Sequence, residues 1–279
     1  MVTTRRSISK ANQRRSRQRV GGLRKKTAST SNGQKAEVPE RILSIDIGGS
    51  KIKLLVNGET EPRKLRTGKR MTPVKLVEAV RELTKGWDYE AISIGYPGLV
   101  GERGPLSEPG NLGPGWVGFD FAAVFGRPVR IVNDAAMQAL GSYEGGRMLF
   151  LGLGTGLGSA FISNNVMLSL ELGQVPFDDS NLGDVLGRAG MKRVGKKRWR
   201  DVIRRIVPAL MAAFVADYVV LGGGNAKEVN DVPPGARLGH NLTAFRGGFR
   251  LWHLSDVPTL PQDPHMPCPN PSPLDWRVI

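Results

Sequence analysis

Cysteine is all but missing from this chain. A single Cys268 among 279 residues leaves no internal disulfide framework and no cysteine-rich zinc site, and it fits a reducing, cytosolic compartment. Long apolar runs are missing as well: the longest, Ile206 to Ala216, contains Pro208 and falls well short of the roughly 20 residues a membrane span needs. Acid is absent from the N-terminus. Residues 1–36 hold 11 of the 40 Lys and Arg and none of the 25 Asp and Glu, so the net charge of +15 drops to +4 over residues 37–279. The high isoelectric point therefore belongs largely to a tail. That tail lacks the apolar segment of a secretory signal, although its Arg- and Ser-rich composition overlaps that of transit peptides. Finally, no glycine cluster spells a Walker A motif or a GxGxxG with an acid on the next strand, which excludes the P-loop and Rossmann readings.

Residues 1–40 have no hydrophobic periodicity and are expected to be a basic, disordered tail. Residues 254–279 carry seven prolines from Pro258 to Pro273 and are expected to be an extended Pro-rich tail without regular structure. Between them the pattern alternates. A strand at 42–47, a glycine turn and a strand at 51–57 come first. Thr72 caps a helix that starts at Pro73 and shows Val74, Val77, Val80 and Leu83 on one face. The run 91–100 is a strand ending in Tyr96-Pro97-Gly98, a short helix lies near Phe121–Phe125, and strand 129–134 runs straight into another helix. Residues 148–162 repeat the opening order of strand, glycine turn and strand. A helix from Trp199 follows, with Val202, Ile203, Ile206, Leu210 and Phe214 on one face and a kink expected at Pro208. Strand 218–224 ends in three glycines. Two halves that open alike point to a duplicated α/β architecture with a cleft between lobes, expected at 41–135 and 136–253.

Three glycine clusters thus sit at strand ends: Gly48-Gly49, then Gly152, Gly154, Gly156 and Gly158, then Gly222, Gly223 and Gly224. Taken singly each is a tight hairpin. Taken together they favour a site whose backbone amides approach phosphate. Asp46, just ahead of the first turn, either manages Mg²⁺ for that phosphate or accepts hydrogen bonds from the turn's own amides. At Asn133-Asp134 a strand becomes a helix, and one helix cap suffices, so the second polar group is free to face a cleft and accept a hydroxyl proton. Glu171, before Leu172-Gly173, is either an exposed-face residue or a ligand-facing one.

The motifs "DIGGSK", "YPGLV", "VNDAAMQALG", "GLGTGLGSAFI", "ELG" and "VVLGGG" stand in the order found in ROK-family sugar kinases, and the chain resembles that family from about Ile42 to Gly224. The missing cysteine motif, the compact second lobe and "GKKRWRDVIRRI" are most similar to its polyphosphate-dependent glucokinase branch. The resemblance implies a two-lobed, actin-like (ribonuclease-H-like) α/β fold and phosphoryl transfer to the 6-hydroxyl of glucose with Mg²⁺. By position it makes Asp134 the general base, and Asn133, Asn111, Glu171 and Gln174 sugar-binding residues. Asp46, Gly48, Gly49, Ser50, Lys51, Gly154, Thr155, Gly156 and Gly158 match its phosphate loops, and Gly222, Gly223 and Gly224 its adenosine-side glycines. Gln174 replaces the family histidine that joins the cysteine cluster in zinc-containing members, so zinc is not expected.

Arg188 to Arg205 carries nine basic residues against one acid, Asp201. This is either a solvated face or a track for a polyphosphate donor along Lys192, Arg193, Lys196, Lys197, Arg198 and Arg200. Expected partners are glucose and either polyphosphate or ATP, in a cytoplasmic homodimer without membrane contact, with nucleic acid reached only through the basic tail. Two alternatives remain open: a catalytically silent sugar sensor, which Gln174 favours, and a kinase for mannose or an N-acetylated sugar. A family repressor would need an N-terminal helix-turn-helix, and the first forty residues show no amphipathic helix pattern for one.

Overall fold

The structure, a computed structural model, describes residues 38–240, 242–253 and 277–278. The expectation of disorder lies outside the described residues for 1–37 and for most of the C-terminal tail. At the end of the expected N-terminal tail, Glu40 is tied to the fold, its amide donating to Glu90 and its carbonyl accepting from Asn57.

The chain begins with the hairpin β1 (Ile42–Ile47) and β2 (Lys51–Val56), then β3 (Arg63–Arg66), α1 (Pro73–Leu83) and β4 (Ala91–Tyr96). A small hairpin, β5 (Val100–Gly101) and β6 (Gly104–Pro105), precedes α2 (Phe121–Phe125), β7 (Val129–Asn133) and α3 (Asp134–Ser142). The second half repeats the plan with β8 (Arg147–Leu153), β9 (Leu157–Ser163) and β10 (Val166–Leu170). A second small hairpin, β11 (Pro176–Phe177) and β12 (Ser180–Asn181), leads into α4 (Leu182–Leu186) and α5 (Arg188–Ala213), and β13 (Tyr218–Gly222), β14 (Ala236–Leu238) and α6 (Thr243–Arg250) follow.

The duplication expected from the two glycine hairpins is explicit in the sheets. The first runs β3-β2-β1-β4-β7 and the second β10-β9-β8-β13-β14. In each, three antiparallel strands are followed by two parallel ones. Parallel strands buried on both faces read as unbroken apolar runs, and all six residues of both β1 and β4 are buried. The outer edge of the second sheet carries one addition: β15 (Arg277–Val278) pairs parallel with Val166 and Met167. That end of the Pro-rich segment is therefore regular structure, against expectation; it lies beyond the last proline, where backbone donors are again free to join an open edge.

Two helices differ in detail from their sequence patterns. Thr72 does cap α1, its hydroxyl accepting from Lys75 N, but the buried face is Pro73, Leu76, Val77 and Val80, and Val74 is exposed. The stripe starts one residue earlier than the valines suggest, at the usual i, i+3, i+4, i+7 spacing. Helix α5 starts at Arg188, eleven residues before the expected Trp199, because the cations of its first turns hide the sparse apolar signal of Met191 and Val194. Its backbone leaves helical geometry at Gly195 (φ 79°, ψ 156°), not at Pro208, where the expected kink would fall.

The helices α3 and α6 occupy equivalent places in the two repeats and pack on each other between the sheets. Their contact is backbone to backbone. A Cβ on Gly141 would strike the Thr243 carbonyl and Gly247 N, and one on Gly247 would strike the Met137 carbonyl. Helix α6 also reaches back to β1 and β4, where the Ser93 hydroxyl donates to Gly248 O at 2.5 Å and accepts from Trp252 Nε1 at 2.9 Å. This crossing holds the two repeats together over the middle of β1 and β4, at Ser44 and Ser93.

Candidate active site

At the junction of β7 and α3 one of the two polar groups is taken up in capping the helix. Asn133 is the cap: its Oδ1 accepts from Ala135 N at 2.9 Å and Ala136 N at 3.2 Å, and its Nδ2 donates to Gly98 O at 3.1 Å. Asp134 is the first helical residue. Its Oδ1 accepts from Ala135 N at 2.8 Å, and Oδ2 makes no hydrogen bond among the described residues. The helix N-terminus and this amide favour the charged form, yet the carboxyl is pushed up from 3.8 to about 7, by desolvation first and then by the negative charge of Asp46, with a smaller contribution from Glu171. Asp134 keeps some solvent exposure along the chain's surface; it is the protein packed around the carboxyl that makes ionisation costly. A carboxylate poised near neutrality is suited to accepting a proton from an alcohol.

Two glycines make room for that packing. Gly95 on β4 has no space for a side chain: a Cβ there would meet Met137 Cε at 2.5 Å and Asp134 Cα at 3.4 Å. Gly158 on β9 abuts the first turn of α3, where a Cβ would lie 2.8 Å from that of Ala135. Gly95 is also the register partner of Asp46, so the start of α3 sits one strand away from Asp46, on the same face of the sheet.

Asp46 is buried, and neither sequence reading of it anticipated its partner. Lys53, opposite it on β2, places Nζ 3.0 Å from Oδ2. The turn amide of Gly48 bonds instead to Lys51 O at 3.0 Å, so the alternative of Asp46 capping its own turn is not what forms. Lys53 was legible in principle, since cross-strand pairing in a tight hairpin fixes the opposite residue. Asp46 Oδ1 makes no hydrogen bond among the described residues.

The three glycine turns converge. A Cβ on Gly49 would meet Thr155 Oγ1 at 3.3 Å and Asn111 Nδ2 at 3.4 Å, which puts the first turn against the second and brings Asn111 beside both. The second turn is tied to the third: Asn225 donates from its backbone to Leu153 O and from Nδ2 to Gly154 O, each at 2.9 Å. Gly223, at φ 81°, passes so close to Leu153 that no side chain fits. The start of α5 joins them, with Arg188 N donating to Gly154 O at 3.0 Å and Thr155 O at 3.2 Å. Ser50, Lys51, Thr155, Gly156, Gly223 and Gly224 are exposed, Gly48, Gly49, Gly154 and Gly158 are half-buried, and Gly222 is buried against Phe150.

Two further anchors escaped the sequence reading. Buried Ser159 brackets Glu171, donating to Leu170 O at 2.8 Å and accepting from Leu172 N at 3.0 Å. Glu108 grips the other loop, accepting from Trp116 N at 3.1 Å and Val117 N at 3.2 Å, while Trp116 is buried and donates to Gly113 O. Asn111 lies inside that pinned loop. Glu171 is exposed, past the end of β10, and desolvation raises its pKa. Gln174 is exposed one 3₁₀ turn later, its amide on Glu171 O at 2.9 Å.

The cationic run is helical and in part already occupied. Lys196 pairs with Glu228 at 2.6 Å, and Arg200 donates to Glu228 O at 2.6 Å and Asn230 Oδ1 at 3.1 Å. Lys192, Arg193, Lys197 and Arg198 are exposed and make no ion pair among the described residues. Among those residues no group of three or more His, Cys, Asp or Glu is placed to hold a metal ion, and no helix is long and apolar enough to cross a membrane.

Two like-built α/β repeats, with glycine turns facing one another beside the β7–α3 junction, define the two-lobed, actin-like fold of sugar kinases. Residues 42–175 match the ROK family, which bears out the resemblance read from the motifs. The chain is 26% identical over 235 residues to a polyphosphate glucokinase of Mycobacterium tuberculosis, covering 74% of this chain and 85% of that protein. Its fold is that of an inorganic polyphosphate/ATP-glucomannokinase from Arthrobacter sp. strain KM, with a TM-score of 0.65 at 23% identity over 76% of this chain and 98% of that one. A ROK family glucokinase from Streptomyces griseus, solved with glucose and AMPPNP, gives a TM-score of 0.62 at 17% identity, covering 76% of this chain and 98% of that one.

Proposed function

We propose that the protein is a sugar kinase that transfers a phosphoryl group from polyphosphate or ATP to the 6-hydroxyl of glucose, with Asp134 as general base. The observation that carries this reading is the placement of the Asp134 carboxyl at the start of α3, over Gly95 beside Asp46 and with Gly158 of the second glycine hairpin against the next residue; burial there raises it to about 7. Asp134 takes the hydroxyl proton as the oxygen attacks phosphorus, a contribution of about 10²–10⁴ in rate. Asn133 keeps one amide hydrogen beyond its bond to Gly98 O for a sugar hydroxyl, and Asn111, Glu171 and Gln174 supply the others. The amides of Gly48, Gly49, Gly154, Thr155 and Gly156 hold donor phosphates.

Asp46 fits Mg²⁺ through the carboxylate oxygen that Lys53 leaves free, since this ion needs one or two carboxylates and takes its other ligands from phosphates and water. When bound, it neutralises charge on the donor. The lobes at 41–135 and 136–253 close around the sugar in this reading.

The test is glucose 6-phosphate formation by the purified chain with ATP and with polyphosphate, alongside mannose and N-acetylated sugars as acceptors. Formation from either donor is the expected result. Tight glucose binding with no product from either would favour the silent-sensor alternative, to which Gln174 is the pointer.

A further inference from the structure

Register in the first sheet lays a row of side chains across the face that carries Asp46. Lys64 on β3 stands opposite Lys53 on β2, Lys53 opposite Asp46 on β1, and Asp46 opposite Gly95 on β4. Asp134 lies above Gly95, so the row runs from the sheet edge to the proposed base. The neighbouring row pairs Lys51 with Arg66. Side chains alternate faces along a strand, which puts Lys51, Lys53, Lys64 and Arg66 all on the Asp46 face. Ile52, Leu54 and Leu65 go to the other face, with the core that includes Leu76, Val77 and Val80 of α1.

Like charges directly opposite each other weaken a strand pair, yet here two successive same-face pairs are both cationic. Lys51, Lys64 and Arg66 line the outer part of this face and make no ion pair among the described residues. Edge strands do carry lysine to block unwanted pairing. That accounts for a charge at Lys64 or Arg66, but not for cations that continue inward through half-buried Lys53 to a carboxylate.

We propose that Lys51, Lys53, Lys64 and Arg66 form the docking surface for linear polyphosphate, holding the phosphates that follow the one transferred. The inference rests on the sugar-kinase reading above. Charge complementarity selects the occupant, and so does reach: with strands about 4.8 Å apart, the ribbon extends roughly 10 Å from β1 to β3, which suits a chain rather than a lone phosphate. It lies on the first sheet, while the Gly222–Gly224 turn that would serve a nucleotide belongs to the second. The cations of α5 are the competing course for the chain.

Full-length Lys64→Gln/Arg66→Gln is compared with Lys192→Gln/Lys197→Gln, which removes the same charge from α5. Polyphosphate binding is titrated at several salt concentrations, and glucose 6-phosphate formation is followed with both donors. The β3 pair is expected to weaken polyphosphate binding by about tenfold and to lower the salt slope by about 0.7 for each phosphate no longer neutralised. The polyphosphate-to-ATP ratio of kcat/KM falls with it, and the α5 pair changes binding by less than about twofold. Should the double variant melt early, Arg66→Gln alone carries the same reading with half the slope change. An unchanged slope in the β3 variants, a loss confined to the α5 variant, or a wild-type chain that ignores polyphosphate would overturn the ribbon. Binding that depends on the ribbon without product from either donor upholds it and overturns the kinase reading instead.

Discussion

Asn133 and Asp134 divide two tasks that adjacent polar residues could have shared. The cap is Asn133 alone, so Asp134→Asn removes the acid without touching the helix start. Turnover is expected to fall by about 10²–10⁴, with glucose affinity by calorimetry near that of the wild type; near-normal turnover would contradict the assignment. The pH dependence has a definite sign. A base must be ionised to act, and this carboxyl sits at about 7, so kcat/KM rises with pH through an acidic limb near neutrality. Asp46→Asn removes a charge that raises Asp134, and the limb measured on its residual activity moves to lower pH. Stability runs the opposite way. A carboxyl whose folded pKa lies above its unfolded value stabilises the fold fully below the unfolded pKa, and that stability is lost as pH rises through 7. Asp134→Asn should therefore melt higher than wild type at pH 8, by about 2–4 °C per kcal/mol gained, and no higher at pH 4.

Two elements depend on glycine for reasons that differ. At the α3–α6 crossing the obstacle is backbone on both sides, which side-chain rearrangement does not relieve. Gly141→Ala is expected to cost about 1–3 kcal/mol or more in urea unfolding. At Gly195 there is open space around the missing side chain, and the constraint is conformational: φ 79° with ψ 156° is close to glycine-only territory, worth about 1–3 kcal/mol. Gly195→Ala should thus either lose that much stability or straighten α5 and move Lys196 off Glu228, a change visible in the amide exchange of 188–200. The two glycine-turned hairpins, the α1 cap, α2 and the β7–α3 junction were legible in sequence, since turn glycines, a Thr-Pro start and alternating apolar residues act locally; the small hairpins β5–β6 and β11–β12 were not. The start of α5 was not, because its first turns present cations wherever they do not pack.

At the scale of the whole molecule, every residue assigned a role lies among the described residues between 38 and 253. Deleting 1–36 should leave glucose 6-phosphate formation intact while removing 11 positive charges, so that residual polyphosphate binding becomes less steep in salt. Loss of turnover in that truncation would show that the basic segment takes part in the reaction.

Which residues are carboxylates, which turns are glycine and where strands meet helices was determined by the sequence alone, because these features follow from local backbone sterics and capping. That was enough to place Asp134, Asn133 and the three turns on a duplicated α/β frame. What only tertiary structure decided is what faces what: Thr155 and Asn111 against Gly49, the α3–α6 contact at Gly141 and Gly247, and the cationic rows of β2 and β3 leading toward Asp134. Those relations depend on strand register and on helices that approach at glycine, and a contact between residues a hundred positions apart leaves no periodic trace in the chain that encodes it.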